Sequence, residues 1–317
     1  MDAAALPNLL IVGVTKAGTT SLYWYLAQHP EICASTHKET NYFSPLRYRR
    51  QPTGTLDDYA SYFAHCTGEP YRLEASPEYF YGGPELVRAV RTALPESRII
   101  VSLRDPVDRL WSGYRYKRLQ GGLADDVTFA QFFERCLELR RAGADVREEH
   151  ALFRALSIGR YVDNLGYWFD AFGDDVYVMF FEHLATAPLV TMTELLTWLE
   201  LDAEPARTFD YGVSQKTIEP RSRALHHRAK SLAARADRLF GLDRNRALKG
   251  RLRDIYMRLN TRAPVDEFVA ADHTRVEEFY AEANAALARD LMARGYRDLP
   301  AWLSEPDRAR TRLGDPG

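Results

Sequence analysis

The sequence predicts an α/β protein built on a parallel β-sheet with helices on both faces. Short apolar runs of strand length recur at residues 9–14, 71–76, 98–103 and 176–181, separated by segments whose apolar residues repeat at helical spacing. Three of these runs end on polar turns, at Lys16, Ser76 and Arg104, so in a parallel sheet those turns collect at one edge, where ligands lie. The chain has 317 residues, 46% of them apolar, enough to cover both faces of such a sheet. We expect one domain over residues 1–303 and a charged, frayed tail over 304–317.

Each element has its own warrant. Residues 9–14, Leu-Leu-Ile-Val-Gly-Val, form the first buried strand. A helix follows from Thr19 to Gln28, with Leu22 and Leu26 on one face and Pro30 as its stop. Ile32–Ala34 is a short strand, and residues 57–64 form a helix with Tyr59, Tyr62 and Phe63 inward. Tyr71–Ser76 is a strand halted by Pro77, and residues 85–94 are helical. Arg98–Leu103 is the clearest central strand, followed by a helix from Val107 to about Leu119 closed by Gly121 and Gly122. Amphipathic helices are expected over 129–140, 161–172 and 189–199, with a strand at 176–181. A long helix, or two, spans 267–295, and Leu299 and Trp302 close the domain.

The first strand runs into Thr15-Lys16-Ala17-Gly18-Thr19-Thr20-Ser21. Strand, turn and helix start together form an anion cradle, because unpaired backbone N–H groups and the positive end of the helix dipole face one point. Gly18 allows close approach, Lys16 adds a charge, and the three hydroxyls add donors. The loop is P-loop-like without being a Walker A motif: Gly13 and Gly18 are correctly separated, yet Thr19 stands where that motif has its lysine.

Charge and cysteine usage narrow the classes. The formal net charge is −2, which gives no general attraction to nucleic acid. Residues 221–262 hold 13 Lys and Arg against 3 Asp and Glu, so the remainder of the chain carries −12. Such a run reads first as a solvated helical face, and secondarily as a contact for an anionic membrane surface. Cys33, Cys66 and Cys136 are widely spaced and odd in number, with no CxxC pair and no HExxH among the eight histidines. We therefore expect neither a disulfide framework nor a structural zinc site. No leader or transmembrane run is apparent, and the expectation is a reducing bacterial cytoplasm.

The second informative stretch is residues 99–114, Ile-Ile-Val-Ser-Leu-Arg-Asp-Pro-Val-Asp-Arg-Leu-Trp-Ser-Gly-Tyr. Arg104 leaves the strand end, and Ser112 sits about two turns into the next helix, so a guanidinium and a hydroxyl can hold one phosphate. Taken together, the two stretches resemble the sulfotransferases that use 3′-phosphoadenosine 5′-phosphosulfate (PAPS) and release 3′,5′-bisphosphoadenosine (PAP). The likeness is nearer to the heparan-sulfate type and its bacterial relatives. It is supported by residues 38–43 (Lys-Glu-Thr-Asn-Tyr-Phe), 74–80 (Glu-Ala-Ser-Pro-Glu-Tyr-Phe) and Gly159-Arg160-Tyr161 through Glu182-His183-Leu184.

The resemblance implies the sulfotransferase fold and a set of roles. Lys16, Ala17, Gly18, Thr19, Thr20 and Ser21 would hold the 5′-phosphosulfate, and Arg104 and Ser112 the 3′-phosphate. Lys216, Arg221 and Ser222 fall where the family closes a loop over the nucleotide. Glu39 falls at the catalytic base. Three departures stand out: Ala17 replaces a glycine of the loop, Ala75 replaces a lysine, and Asn41 replaces a histidine. The last two point away from a glycosaminoglycan acceptor.

Sulfuryl transfer needs mainly positioning and charge stabilisation. Lys16 suits the charge building on the leaving phosphate, Glu39 the acceptor proton, and Lys38 either keeps Glu39 ionised or assists the leaving group. His37 and His183 are alternative bases. Glu74, Tyr79 and Phe43 are candidates for contact with a small-molecule or carbohydrate acceptor, as are the aromatics Tyr42, Phe80, Tyr81, Trp111, Tyr114 and Tyr116, all of which equally suit core packing. The scheme requires no metal. A nucleotide kinase, or a nucleotide-binding module without catalysis, are the competing classes; the displaced lysine argues against the former.

Overall fold

The computed structural model describes residues 6–124, 126–212, 219–220, 261–262 and 268–304. Five strands form the central sheet: β1 (Leu9–Gly13), β2 (Ile32–Ala34), β3 (Tyr71–Ala75), β4 (Arg98–Leu103) and β5 (Val176–Phe180). Their order is β2-β3-β1-β4-β5 and every pairing is parallel, as expected from the alternation of strands and helices. The chain leaves β1 toward β2 on one side and leaves β4 toward β5 on the other. The two connections diverge at the β1–β4 seam and leave a crevice outside the strand ends.

The period of two along each strand sorts the core onto both faces. Leu10 and Val12 of β1, with Ile99 and Val101 of β4, pack beneath α3 (Gly83–Ala93), α7 (Val162–Phe172) and α10 (Ala270–Ala293). Leu9 and Ile11, with Ile100, pack on the opposite face against α1 (Thr19–Leu26) and α9 (Pro188–Trp198). A third cluster joins α4 (Pro106–Leu119), α5 (Phe129–Arg141), the short α6 (Ala155–Ile158) and α10 through Leu110, Phe132, Leu156 and Tyr280. Helix starts follow local chemistry. Thr55 and Thr128 form reciprocal capping boxes with Asp58 and Gln131, opening α2 (Leu56–Ser61) and α5. Pro106 at the first turn and the Asp105 carboxylate, which accepts from the Val107 N–H at 2.8 Å, open α4. Phe181, expected at a strand end, instead opens α8 (Phe181–Thr186). The chain is closed by α11 (Ala301–Ser304), with Leu299 and Trp302 packed on the first core.

The expectation of no disulfide is overturned. Cys33 and Cys66 form a disulfide, their Cα atoms 5.8 Å apart, while Cys136 is buried and free. Separation along the chain hid this pair. β2 lies beside β3, so the excursion that leaves β2 must return to the same sheet edge before β3 begins, bringing two distant cysteines together. The expectations for Lys216, Arg221, Ser222, the basic run up to residue 260 and the tail from 305 lie outside the described residues; the described Glu219–Pro220 (β6) pairs antiparallel with Thr261–Arg262 (β7). Among the described residues, no helix is long and apolar enough to cross a membrane.

Candidate active site

Gly13 and Gly18 are glycines for steric reasons. A Cβ on Gly13 would lie 2.6 Å from the Phe80 Cβ. Gly18 has φ 76° and a Cβ there would lie 2.7 Å from the Phe181 ring. Lys16 adopts the left-handed conformation (φ 71°) although it carries a side chain, a local cost tolerated where a turn must present one group. Ala17 is buried and does not share that conformation, so its replacement of a glycine is accommodated. The loop is tied to β4: the Val14 N–H donates to the Ser102 carbonyl at 2.9 Å, and the Ser102 hydroxyl donates to the Ala17 carbonyl at 2.7 Å. Gly18 caps α1 without a side-chain cap, leaving the first-turn N–H groups of Thr19, Thr20 and Ser21 directed out of the helix end.

Across the seam, Arg104 Nη1 donates to the Lys16 carbonyl at 3.2 Å, and its guanidinium lies over the Phe181 ring at 4.6 Å. Its Nη2 stands 3.4 Å from an Asp108 carboxylate oxygen. The Tyr161 hydroxyl holds the Arg104 carbonyl at 2.7 Å. Ser112, Arg115 and Tyr116 share the face of α4 that looks toward the same space. The two stretches thus line one cleft of about 710 Å³, with Lys16, Gly18, Thr19, Thr20, Ser21, Arg104 and Ser112 all on its wall. The Lys16 ammonium sits 4.4 Å above the centre of the Tyr116 ring. Burial first, and then the charges of Arg104 and Arg115, lower its pKa from 10.5 to about 8. A bound polyanion would reverse that effect.

Glu39 lines the same cleft, its carboxylate 3.2 Å from the Lys38 ammonium. Lys38 itself is largely covered, with 9% of its side chain exposed against 35% for Glu39. Glu74 lies behind this loop, fully buried. Its Oε1 accepts from the Thr40 hydroxyl at 2.9 Å and the Ser76 hydroxyl at 2.5 Å, while Ser76 Oγ accepts from the Asn41 N–H at 2.9 Å. Glu74 therefore pins the segment that presents Glu39. Burial, with Oε2 left unpartnered, pushes its pKa up to about 7.

The structure brings Lys16, Gly18, Thr19, Thr20 and Ser21 together with Arg104, Ser112 and Glu39 around one cleft, while Ala17 is buried and neither it nor Lys38 is on the lining. It places Glu74, Tyr79 and Phe43 in the core behind the cleft wall rather than on it; Tyr79 accepts from the Phe43 N–H at 3.3 Å. Of the other aromatics, Trp111 and Tyr116 line the cleft while Tyr42, Phe80, Tyr81 and Tyr114 are buried, and neither His37 nor His183 lines it. Lining residues that sequence reasoning overlooked are Thr15, Asp108, Arg115 and Phe181. Arg115 was detectable as the position one helical turn beyond Ser112. The lining carries both charges: Lys16, Arg104 and Arg115 are cationic, while Glu39, Asp108 and Glu78, the last paired with Arg47 at 2.9 Å, are acidic.

Comparison with known proteins gives three findings. A family model described as a sulfotransferase domain matches residues 6–219. A bifunctional heparan sulfate N-deacetylase/N-sulfotransferase of Drosophila melanogaster is 25% identical over 95% of this chain and 27% of its own length. A human N-deacetylase/N-sulfotransferase 3 of the same description is 28% identical over 65% of this chain and 24% of its own. The chain thus spans about a quarter of the length of these relatives. Among solved structures, a sulfotransferase from Alicyclobacillus acidocaldarius superposes with a TM-score of 0.56 at 26% identity, covering 74% of this chain and 95% of that one.

Proposed function

The chain belongs to the sulfotransferase family, and from that premise we propose that it transfers the sulfuryl group of PAPS to an acceptor hydroxyl. The observation that carries this reading is the contact between Arg104 and the Lys16 carbonyl, which makes the two anion-binding stretches one cleft. The first-turn N–H groups and hydroxyls of Thr19, Thr20 and Ser21 suit the 5′-phosphosulfate, and Arg104 with Ser112 suits the 3′-phosphate.

In this scheme the acceptor oxygen attacks sulfur in line, the bond from sulfur to the bridging phosphate oxygen breaks, and PAP departs. Glu39 takes the acceptor proton, its carboxylate standing 3.2 Å from the Lys38 ammonium. Lys16, swinging off the Tyr116 ring, meets the charge that gathers on the leaving phosphate. The acceptor enters beside Glu39, and Trp111 and Tyr116 offer aromatic surface elsewhere on the cleft lining. The relatives named for heparan sulfate favour a carbohydrate acceptor, with another small molecule as the alternative, and their description as N-sulfotransferases keeps an amine as the alternative to a hydroxyl.

Two measurements test the reading. Calorimetry with PAP should register one site per chain, and sulfur-labelled PAPS should lose its label, slowly to water and faster to a panel of carbohydrate and phenolic acceptors. Failure to bind PAP refutes the assignment of the cleft. Binding without release or transfer of label reduces the protein to a nucleotide-binding module.

A further inference from the structure

Apart from the cleft lining lies a cluster that sulfuryl transfer does not use. Cys33, on the edge strand β2, and Cys66, on the return toward β3, are bonded to each other, and His65 Nε2 stands 3.4 Å from Cys33 Sγ. The three potential ligand atoms, Cys33 Sγ, Cys66 Sγ and His65 Nε2, all lie within 4.8 Å of one another. Cys33 is buried, Cys66 half-buried and His65 exposed, so the cluster has an apolar floor and an open mouth. Glu69 is close enough for its carboxylate and the His65 ring to influence each other, which adds negative potential beside the mouth.

We propose that the Cys33–Cys66 disulfide masks a metal site: in the dithiol form, Cys33, Cys66 and His65 bind a zinc-class divalent cation through two thiolates and one imidazole. Tetrahedral zinc, with Zn–S about 2.3 Å and Zn–N about 2.0–2.1 Å, sets its ligand atoms roughly 3.5–3.8 Å apart. Cys33 Sγ and His65 Nε2, 3.4 Å apart, stand close to that spacing, and the two sulfurs would have to move apart to reach it once their bond opens. Two thiolates and an imidazole are the donor set that selects zinc over magnesium or calcium, and water completes the fourth position.

The chemistry balances. A dithiol reductant supplies two electrons and two protons, becoming its own disulfide while the S–S bond opens to two thiols. Each thiol then releases its proton to solvent as the cation binds. Disulfide and metal close the same span, residues 33–66, which contains Lys38 and Glu39. The base-bearing segment would therefore stay clipped at both ends in oxidising and reducing surroundings alike.

The test uses the full chain, reduced with a dithiol and desalted without air, and titrated with Co²⁺ and then Zn²⁺. Reduced wild type should take up one Co²⁺ with a thiolate-to-cobalt charge-transfer band that Zn²⁺ abolishes, and Zn²⁺ should raise the melting temperature of the reduced protein. Oxidised wild type should show neither effect. Cys66→Ser should lose the band. His65→Ala, a change at an exposed side chain that leaves the fold intact, should weaken Co²⁺ binding at least tenfold. Cys136 is no competitor, because burial pushes its thiol up to about 12. Absence of the band in reduced wild type, or its persistence unchanged in folded His65→Ala, overturns the proposal. These readouts involve no nucleotide, so they stand or fall apart from the sulfuryl-transfer reading.

Discussion

If the cleft holds PAP as proposed, the most direct physical consequence is a pH dependence of nucleotide affinity set by Lys16. In the free protein, burial and the Arg104 and Arg115 charges bring its pKa down to about 8. A shift of that size corresponds to roughly 3 kcal/mol against the charged form. PAP needs the ammonium, and its own phosphates are fully ionised above about pH 7, since their second pKa is near 6. Arginine does not titrate in this range. The association constant for PAP should therefore be flat from about pH 6.5 to 7.5 and then fall, approaching a tenfold loss per pH unit above about 8. Calorimetry at constant ionic strength measures it, with Lys16→Met as control. That variant should bind about 10- to 100-fold more weakly at pH 7, the value of one charge-assisted contact, and lose the slope. Without ligand the sign for stability is opposite. A depressed native pKa means that the unfolded chain holds more protons between about pH 8 and 10.5, so stability conferred by Lys16 rises with pH across that window. Wild-type affinity that is constant to about pH 9.5, or the same slope in Lys16→Met, would falsify the placement of Lys16 at the nucleotide.

Four further outcomes are expected. Arg104→Ala should raise the KM for donor roughly 100-fold and change kcat little, because a 3′-phosphate contact binds ground and transition states alike; a loss confined to kcat would contradict this. Glu39→Gln should lower kcat by about 10²–10⁴ while PAP affinity, read by calorimetry, stays within about threefold. Glu74→Gln bears on stability: the native carboxyl at about 7 lies above its ordinary 4.5, so wild-type stability declines as pH rises from 4.5 to 7, and denaturant titrations of the variant should lack that decline. Cys66→Ser should cost the oxidised protein about 4 kcal/mol, the chain-entropy value for a loop of this length, and thermal melts under air should show it as a drop in Tm of several degrees.

What the sequence determined by itself was whatever depends on neighbours along the chain. The sheet strands at 9–13, 71–75, 98–103 and 176–180, the helix opening at Thr19, and the turns carrying Lys16 and Arg104 follow from residue period, capping and turn chemistry. The tertiary structure decided the matters that depend on chain return. It set the register that ties Val14 and Ala17 to Ser102, and it put Arg104 against the Lys16 carbonyl. It also buried Glu74, Tyr79 and Phe43, which the linear pattern had offered as acceptor contacts, because a polar or aromatic residue looks the same in sequence whether it faces a cleft or the core behind it. The Cys33–Cys66 pair is the plainest case: closure of a 33-residue separation is a property of strand order, β2 beside β3, and strand order is a global choice that no local spacing encodes.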